Sequence, residues 1–303
     1  MSHDSPLISV VIASVNGTPY ILECLDHLTN QDGDIPFEIF VMDCTDEATR
    51  SAIRTRFPQP NVHLVEVEGR PTIPKLRAMG MERAEGRLIA ILEDHCNVPA
   101  DWFAVIRRAH EAGHRAIGGA VVNGATDRLI DWAVFFCEYA SFLRPLPTGV
   151  VPFIAGSSAI YDREIIEPVE PEYYAEVWEY FMHTRMKEQG VEFYCDPDLW
   201  VEHKKDFGFG YFMSQRYHYS RSFAGMRMAN DGLPKRVVYA GAAIVLLPPL
   251  LLFRTFRTVW SKRPHRGTLL KTLPALALFY VSYGLGEAVG ALFGPGGSLA
   301  RVE

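Results

Sequence analysis

Apolar positions in the first third of the chain fall into short unbroken runs separated by stretches with helical spacing. Ile8–Ala13 (ISVVIA), Phe37–Met42 (FEIFVM), Val62–Val67 and Leu88–Leu92 (LIAIL) have the length and β-branched or aliphatic character of buried strands. Between them, Ile21, Leu22, Leu25 and Leu28 recur along one face of a helix over Thr18–Thr29. Asp46–Phe57 and Ile73–Ala84 read as further helices, the second with Pro74 in its first turn, where a missing N–H costs little. Trp102–Ala112 forms a helix beyond the fourth strand. Strand and helix alternating through short links predict an α/β fold, a mostly parallel sheet flanked by helices. Ligands of such sheets sit at the carboxyl ends of the strands, here just after Ala13, Met42 and Leu92.

The middle of the chain is less regular. Ala116–Val122 reads as a strand, Ile130–Phe142 as an aromatic helix, and Gly149–Tyr161 as a loop and strand around Gly156-Ser157-Ser158. Tyr173–Gln189 predicts a helix closed by Gly190, Val191–Tyr194 a strand, and Gly208–Met228 an aromatic, basic helix. The tail differs. Val237–Phe253 carries no charge over 17 residues, and Thr272–Gly286 is a second uncharged run, followed after Glu287 by Ala288–Gly294. Both approach the length needed to enter a bilayer. Lys235 and Arg236 precede the first run, and Arg254, Arg257, Lys262, Arg263, Arg266 and Lys271 lie between the two. Cations on both flanks fit a simple spanning helix poorly, and Pro248-Pro249 break the run. The segment is therefore expected to dip into the membrane and return, or to lie at its interface, on the cytoplasmic side; a soluble helical subdomain with an apolar core is the alternative. The expected division is a domain over 1–228 and membrane-associated helices over 229–303, at about 237–253 and 272–293.

Composition sharpens this division. The chain has 303 residues, 48% hydrophobic and 22% charged, which excludes disorder. Its net charge of −6 averages two unlike parts: residues 1–233 hold 21 Lys+Arg against 34 Asp+Glu, whereas residues 234–303 hold nine against two. The acidic front argues against a nucleic-acid partner, and the basic, apolar tail points to anionic membrane lipids. Five scattered cysteines without a CxxC pair suggest neither a zinc site nor a disulfide framework, and fit reduced, cytosolic thiols. Met1–Pro6 lacks the basic and apolar regions of a secretory leader.

The segment richest in chemistry is Leu92-Glu93-Asp94-His95-Cys96, at the end of the fourth strand. Strand alternation puts Glu93 and His95 on one face with Asp94 opposite. A carboxylate and an imidazole converging there can hold a divalent cation, and mixed oxygen and nitrogen ligation suits Mn2+ better than Ca2+.

The order and spacing of these segments resemble the inverting glycosyltransferases of family 2, which have the nucleotide-sugar-binding GT-A fold. Ile8–Leu28 is similar to that family's first strand and helix, Phe37–Thr49 to the second strand with its acidic turn, and Lys75–Gly80 (KLRAMG) to its Ala-Arg-Asn-x-Gly stretch. Leu88–His95 falls where the family carries the Asp-x-Asp metal motif. Tyr173–His203 resembles the acceptor-side region: an acidic pair on a helix, then Gly190, a strand and a His. The resemblance covers about residues 7–228. The chain departs from the pattern at Ala13, where Pro is usual, at Cys44 for the second Asp of the turn, and at Ala78 for Asn. Glu93-Asp94-His95 replaces Asp-x-Asp, which puts His95 on the metal-chelating position.

What the resemblance implies follows position by position. Ala13 and Asn16 would line the uracil, Asp43 the base or ribose, and Arg77 the diphosphate; a guanidinium suits that bidentate task. Glu93 would hold the ribose or the metal, with Asp94 beside it on the donor side, and His95 and His203 would join in ligating Mn2+ or Mg2+. Trp178-Glu179 occupies the acidic pair, so Glu179 falls on the catalytic-base position, with Glu176 as the fallback. Gly156 and Ser157 resemble the Gly-Asn-x loop near the acceptor, with Trp178 at its side; Gln215 and His218 lie in a partial match to Gln-x-x-Arg-Trp. The implied activity is inverting transfer of a sugar from a nucleotide-diphosphate donor, UDP-linked by expectation, to a lipid or lipid-linked hydroxyl at the cytoplasmic face of the cell membrane. The losses at Cys44, Ala78 and Asp-x-Asp keep open a non-catalytic, membrane-tethered scaffold or sugar-nucleotide-binding protein. A nucleotidyltransferase would want a Gly-rich basic loop after the first strand, whereas Ser14–Tyr20 has one Gly and no cation.

Overall fold

Seven consecutive buried residues make Ile8–Ser14 the centre of a sheet, because a strand covered on both faces and paired on both edges needs an unbroken apolar run. In the computed structural model, which describes residues 6–302, the strands in chain order are β1 (Ile8–Ser14), β2 (Phe37–Asp43), β3 (Val62–Glu66), β4 (Leu88–Glu93), β5 (Cys96–Asn97), β6 (Ala116–Asn123), β7 (Gly149–Val151), β8 (Ser158–Asp162) and β9 (Phe193–His203). The absence of a secretory leader was expected from Met1–Pro6, of which all but Pro6 lies outside the described residues.

The sheet order is β3-β2-β1-β4-β8-β6-β9-β5, with β7 also on β9. β1 pairs in parallel with β2 and β4, and β2 with β3, as the alternating pattern requires. From β8 onward the pairings β4–β8, β6–β8, β5–β9 and β7–β9 are antiparallel, so the sheet is mixed. The crossover helices are α1 (Tyr20–Thr29), α2 (Glu47–Arg56) and α3 (Ile73–Arg83), followed by α4 (Trp102–Glu111). Asp46 caps α2 by accepting from the Thr49 N–H at 2.8 Å, and Thr72 caps α3.

Two elements differ from expectation. The helix expected over Tyr173–Gln189 begins only at Glu179, because Pro171–Tyr173 close into a 3-10 turn and Trp178 is extended. The strand expected to end at Tyr194 runs on to His203, although Asp196-Pro197-Asp198 reads as a break; the turn is absorbed locally, with Asp198 N–H donating to Asp196 Oδ1 at 3.0 Å.

The described chain divides into two compact units, 1–122 with 144–204 and 123–143 with 205–303. The first holds the sheet, α1–α4, the short α6 (Arg163–Ile166) and α7 (Glu179–Glu188). The second holds α5 (Leu129–Tyr139), α8 (Phe209–Arg227), α9 (Leu233–Val245), α10 (Leu247–Ser261) and α11 (Arg266–Phe293). α5 and α8, grouped by sequence with the first domain, thus join the helical tail. The reason is close packing of α8 on α11: a Cβ at Gly286 would collide with Ser220 and Tyr217, and one at Gly290 with the Arg221 backbone. Glu287, which interrupts the apolar run, is buried in this unit and compensated. Arg227 Nη2 donates to its carboxylate at 2.8 Å and the Tyr239 hydroxyl at 2.5 Å. By length and composition, Arg263–Phe293 is long and apolar enough to cross a membrane; α9 and α10 reach that standard only as a pair, bent by 52°.

Gly290→Val should therefore lower stability by about 1–3 kcal/mol, the cost of overpacking. Gly241→Ala, at an open helical position, should raise it by up to about 1 kcal/mol. Thermal melts of the two variants beside the parent check both signs.

Candidate active site

The ends of β1, β2 and β4 deliver the first groups. Register pairs Ala13 with Glu93 and Ser14 with Asp43, so the loops leaving these three strands are neighbours. Strand geometry stops at Glu93, and Asp94 turns inward to accept the N–H groups of Val15 and Asn16, each at 2.8 Å, and the Asn16 amide at 2.7 Å. Its Oδ1 also lies 2.9 Å from His95 Nδ1. Asp94, expected on the donor side and opposite His95, is instead a buried brace between the first loop and that imidazole. Asp43, expected at the base or ribose, is likewise fully buried. Ser14 and Thr45 hydroxyls donate to it at 2.8 Å and Arg50 Nε at 2.9 Å. Arg50 was missed by sequence reasoning; its only signal is a position one helical turn past the Asp46 cap. The Ala13 side chain is buried in the same core cluster as Met42 and Leu76.

The other side of the sheet supplies the next ligand. The β5–β9 register sets Cys96 opposite His203, and the Lys204 N–H donates to the His95 carbonyl at 3.0 Å. His203 Nε2 thereby comes within 2.9 Å of His95 Nε2, the rings meeting edge to face. Glu93 Oε2 lies 3.4 Å from His95 Nε2 and 3.8 Å from His203 Nε2. One ligand atom from each of Glu93, His95 and His203 falls within 4.8 Å of the others, close enough to share a cation. The donor set fits one: Asp94 holds Nδ1 of His95 and leaves Nε2 to face the site, as a carboxylate behind a metal-bound imidazole does. Two imidazoles with one carboxylate suit Mn2+ better than Mg2+, which prefers all-oxygen shells.

Electrostatics mark the same point. Burial alone would push His95 down, but the hydrogen bonds it donates to Asp94 and Glu93, and their charges, outweigh it and raise it to about 9. Burial would push Glu93 up, yet His95, Arg77 and His203 hold it well below the usual carboxylate range. The cluster is built around positive charge.

Arg77 extends it. From α3 its Nη2 lies 3.3 Å from Glu93 and its Nη1 3.6 Å from Glu179, so one guanidinium links the cation cluster to the first residue of α7. Its Nε is buried without a hydrogen-bond partner among the described residues. Glu179 is half-exposed and packs on Gly156, where a Cβ would collide with its carboxylate. The two border a small pocket with Arg77, Tyr161, Tyr174 and Val177. Ser157, next to Gly156, keeps a buried hydroxyl without a partner among the described residues. Trp178 is buried as the residue before α7, and Glu176 is exposed outside any helix. His183, one turn on from Glu179, is buried; its Nε2 hydrogen-bonds the Tyr161 hydroxyl at 2.6 Å, which props α7 against β8. Gln215 and His218, expected near the acceptor, belong to the second unit. There they tie α8 to the C-terminal turn through the Arg301 carbonyl at 3.0 Å and the Ser298 hydroxyl at 3.1 Å.

A layered sheet with a cation cluster and a bridging arginine at its strand ends defines a nucleotide-sugar transferase of the GT-A type. Residues 9–169 match the family described as Glycosyl transferase family 2, and the chain belongs to that family; it is a glycosyltransferase. No curated protein gives a significant match by sequence. Among solved structures, the mannosyltransferase PcManGT from Pyrobaculum calidifontis, in complex with GDP-Man and Mn2+, is similar at 20% identity. Its TM-score is 0.54, over 90% of this chain and 86% of that one. Residues 1–349 of S. aureus TarS are similar at 15% identity, with a TM-score of 0.51 over 92% and 90%. At these identities the likeness establishes the fold.

Removing a cation ligand should abolish tight Mn2+ binding: His95→Ala and His203→Ala are expected to show only free ion by electron paramagnetic resonance. Asp94→Asn should weaken binding by about 10–100-fold. His183 is pushed down to about 3 by burial, with the Lys187 charge adding to it. Its folded value thus lies below the unfolded 6.5, so the unfolded chain takes up the extra proton as pH falls and stability declines. Between pH 7.5 and 5 the loss from this group is about 2 kcal/mol, which His183→Gln should remove from urea-unfolding curves.

Proposed function

We propose that the protein transfers a sugar, with inversion, from a UDP-linked donor to a hydroxyl of a lipid or lipid-linked acceptor at the cytoplasmic face of the cell membrane. The observation that carries the reading is Arg77, whose guanidinium spans from the cation-ligand set to Glu179. A diphosphate entering between them meets a planar, partly unsatisfied donor suited to phosphate oxygens. Asn16, fixed by Asp94 in the loop after β1, and the buried Asp43 network shape the nucleotide side. Glu93, His95 and His203 would hold the divalent cation, Mn2+ or Mg2+, whose chemistry would be to offset negative charge on the departing diphosphate.

Glu179 is the general base. Its carboxylate lies 3.6 Å from Arg77 and lines the small pocket beside Gly156, next to the expected diphosphate site. It accepts the acceptor hydroxyl's proton as that oxygen bonds to the anomeric carbon, and the bond to the diphosphate breaks with its electron pair leaving on UDP. A single carboxylate suffices, because no covalent glycosyl intermediate forms. Gly156 and Ser157 border the acceptor, the glycine leaving room for Glu179 and the serine carrying a hydroxyl that has no partner among the described residues. Support for a nucleotide donor comes from the solved relatives, one holding GDP-Man with Mn2+ and a TarS structure holding UDP. Support for a lipid acceptor comes from the apolar, basic tail.

Glu179→Gln should cut transfer by about 10²–10⁴-fold while Mn2+ and UDP binding persist. A panel of UDP- and GDP-sugars with Mn2+ and membrane lipid extract, read by release of the free nucleotide, checks the donor. Release from GDP-sugars alone, or a Glu179→Gln protein at parental rate, would overturn the respective assignment.

A further inference from the structure

The second unit exposes an unusual amount of apolar surface at one bend. Val238 is 74% exposed, Val245 67%, Leu246 63% and Phe253 61%, around the break between α9 and α10. Exposed cations border this apex: Lys235 before it, Arg254, Arg257 and Arg263 after it. We propose that the α9–α10 bend is a wedge that enters one leaflet of an anionic bilayer and returns, so that none of the described helices crosses the membrane. This deepens the membrane part of the proposed function and rests on it.

Three observations carry the inference. The first is length. α9 has 13 residues and α10 has 15, about 20 and 22 Å, and neither crosses a hydrocarbon core of about 30 Å. Their 52° bend, with Pro248 and Pro249 in the first turn of α10, keeps them from acting as one straight span. The second is charge. Arg254 stands eight residues beyond Leu246, about 12 Å along α10, and Arg236 ten residues before it, about 15 Å along α9, so even upright arms carry the charge-free apex no deeper than one leaflet of about 15 Å. At that depth Arg254 and Arg257 sit at the headgroups, where each cation meets anionic lipid.

The third concerns α11, the one helix among the described residues that is both long and apolar enough to span. α8 runs alongside its second half: Phe212 packs edge-to-face on Phe279, the Ser282 hydroxyl donates to the Met213 carbonyl at 2.7 Å, and Gly290 abuts Arg221. A spanning α11 would drag Arg216, Arg221 and Arg227 of α8 into the core with it. Instead it is the core helix of this unit. Its outward residues Leu270, Leu278, Val281 and Leu285 recur on one face, the pattern of a helix lying on a surface.

The test uses the full chain. Flotation with phosphatidylcholine vesicles, with and without phosphatidylglycerol, should show binding to the anionic vesicles that falls with salt. Leu246→Asp/Phe253→Asp replaces exposed residues, so it should keep the parental melting temperature while vesicle binding drops at least tenfold. In sealed vesicles from expressing cells, trypsin should cut at Lys262-Arg263 from the cytoplasmic face only. Cleavage there only from the opposite face, or undiminished flotation of the double variant, would overturn the wedge and leave the lipid-acceptor reading standing. Absence of all vesicle binding, with transfer to soluble acceptors intact, would overturn both.

Discussion

A buried carboxylate holds the site in register. Asp94 takes two backbone N–H groups and an amide from the loop after β1 and, on the same side chain, orients the His95 ring. Four donors on one carboxylate in a dry environment are strong, charge-assisted contacts. They make the loop expected to meet the nucleotide and the imidazole expected to meet the cation parts of one rigid piece.

Around that brace the charges alternate. Glu93, Asp94 and Glu179 face Arg77, His95 and His203, and each group has an opposite neighbour within 4 Å. The His95 imidazole is raised and the Glu93 carboxylate lowered because each faces opposite charge at close range. Arg77 belongs to both ends of this array. The second unit follows the same rule at another place: Glu287 is tolerated among apolar helices because Arg227 and Tyr239 surround it.

The parallel half of the sheet and its strand-end loops were legible in the chain because buried strands and amphipathic helices leave local periodicities. The strand-end position of Glu93–His95 was legible for the same reason, since the segment stands at the end of an apolar run. Asp94 was placed on the wrong face, since alternation holds only while the strand lasts and the strand stops at Glu93. The start of α7 was set too early, because apolar spacing alone does not reveal that Trp178 is extended.

By itself the sequence determined the α/β class, the order of the chemical residues, the apolar and basic character of the tail, and the identity of groups able to bind a cation. Only the tertiary structure decided which of them meet. His203 lies 108 residues from His95 and reaches it through the register of an antiparallel pair. Glu179 reaches Arg77 because Gly156 leaves space for it. Pairings between distant segments depend on register and close approach, and neither leaves a local periodicity in the chain.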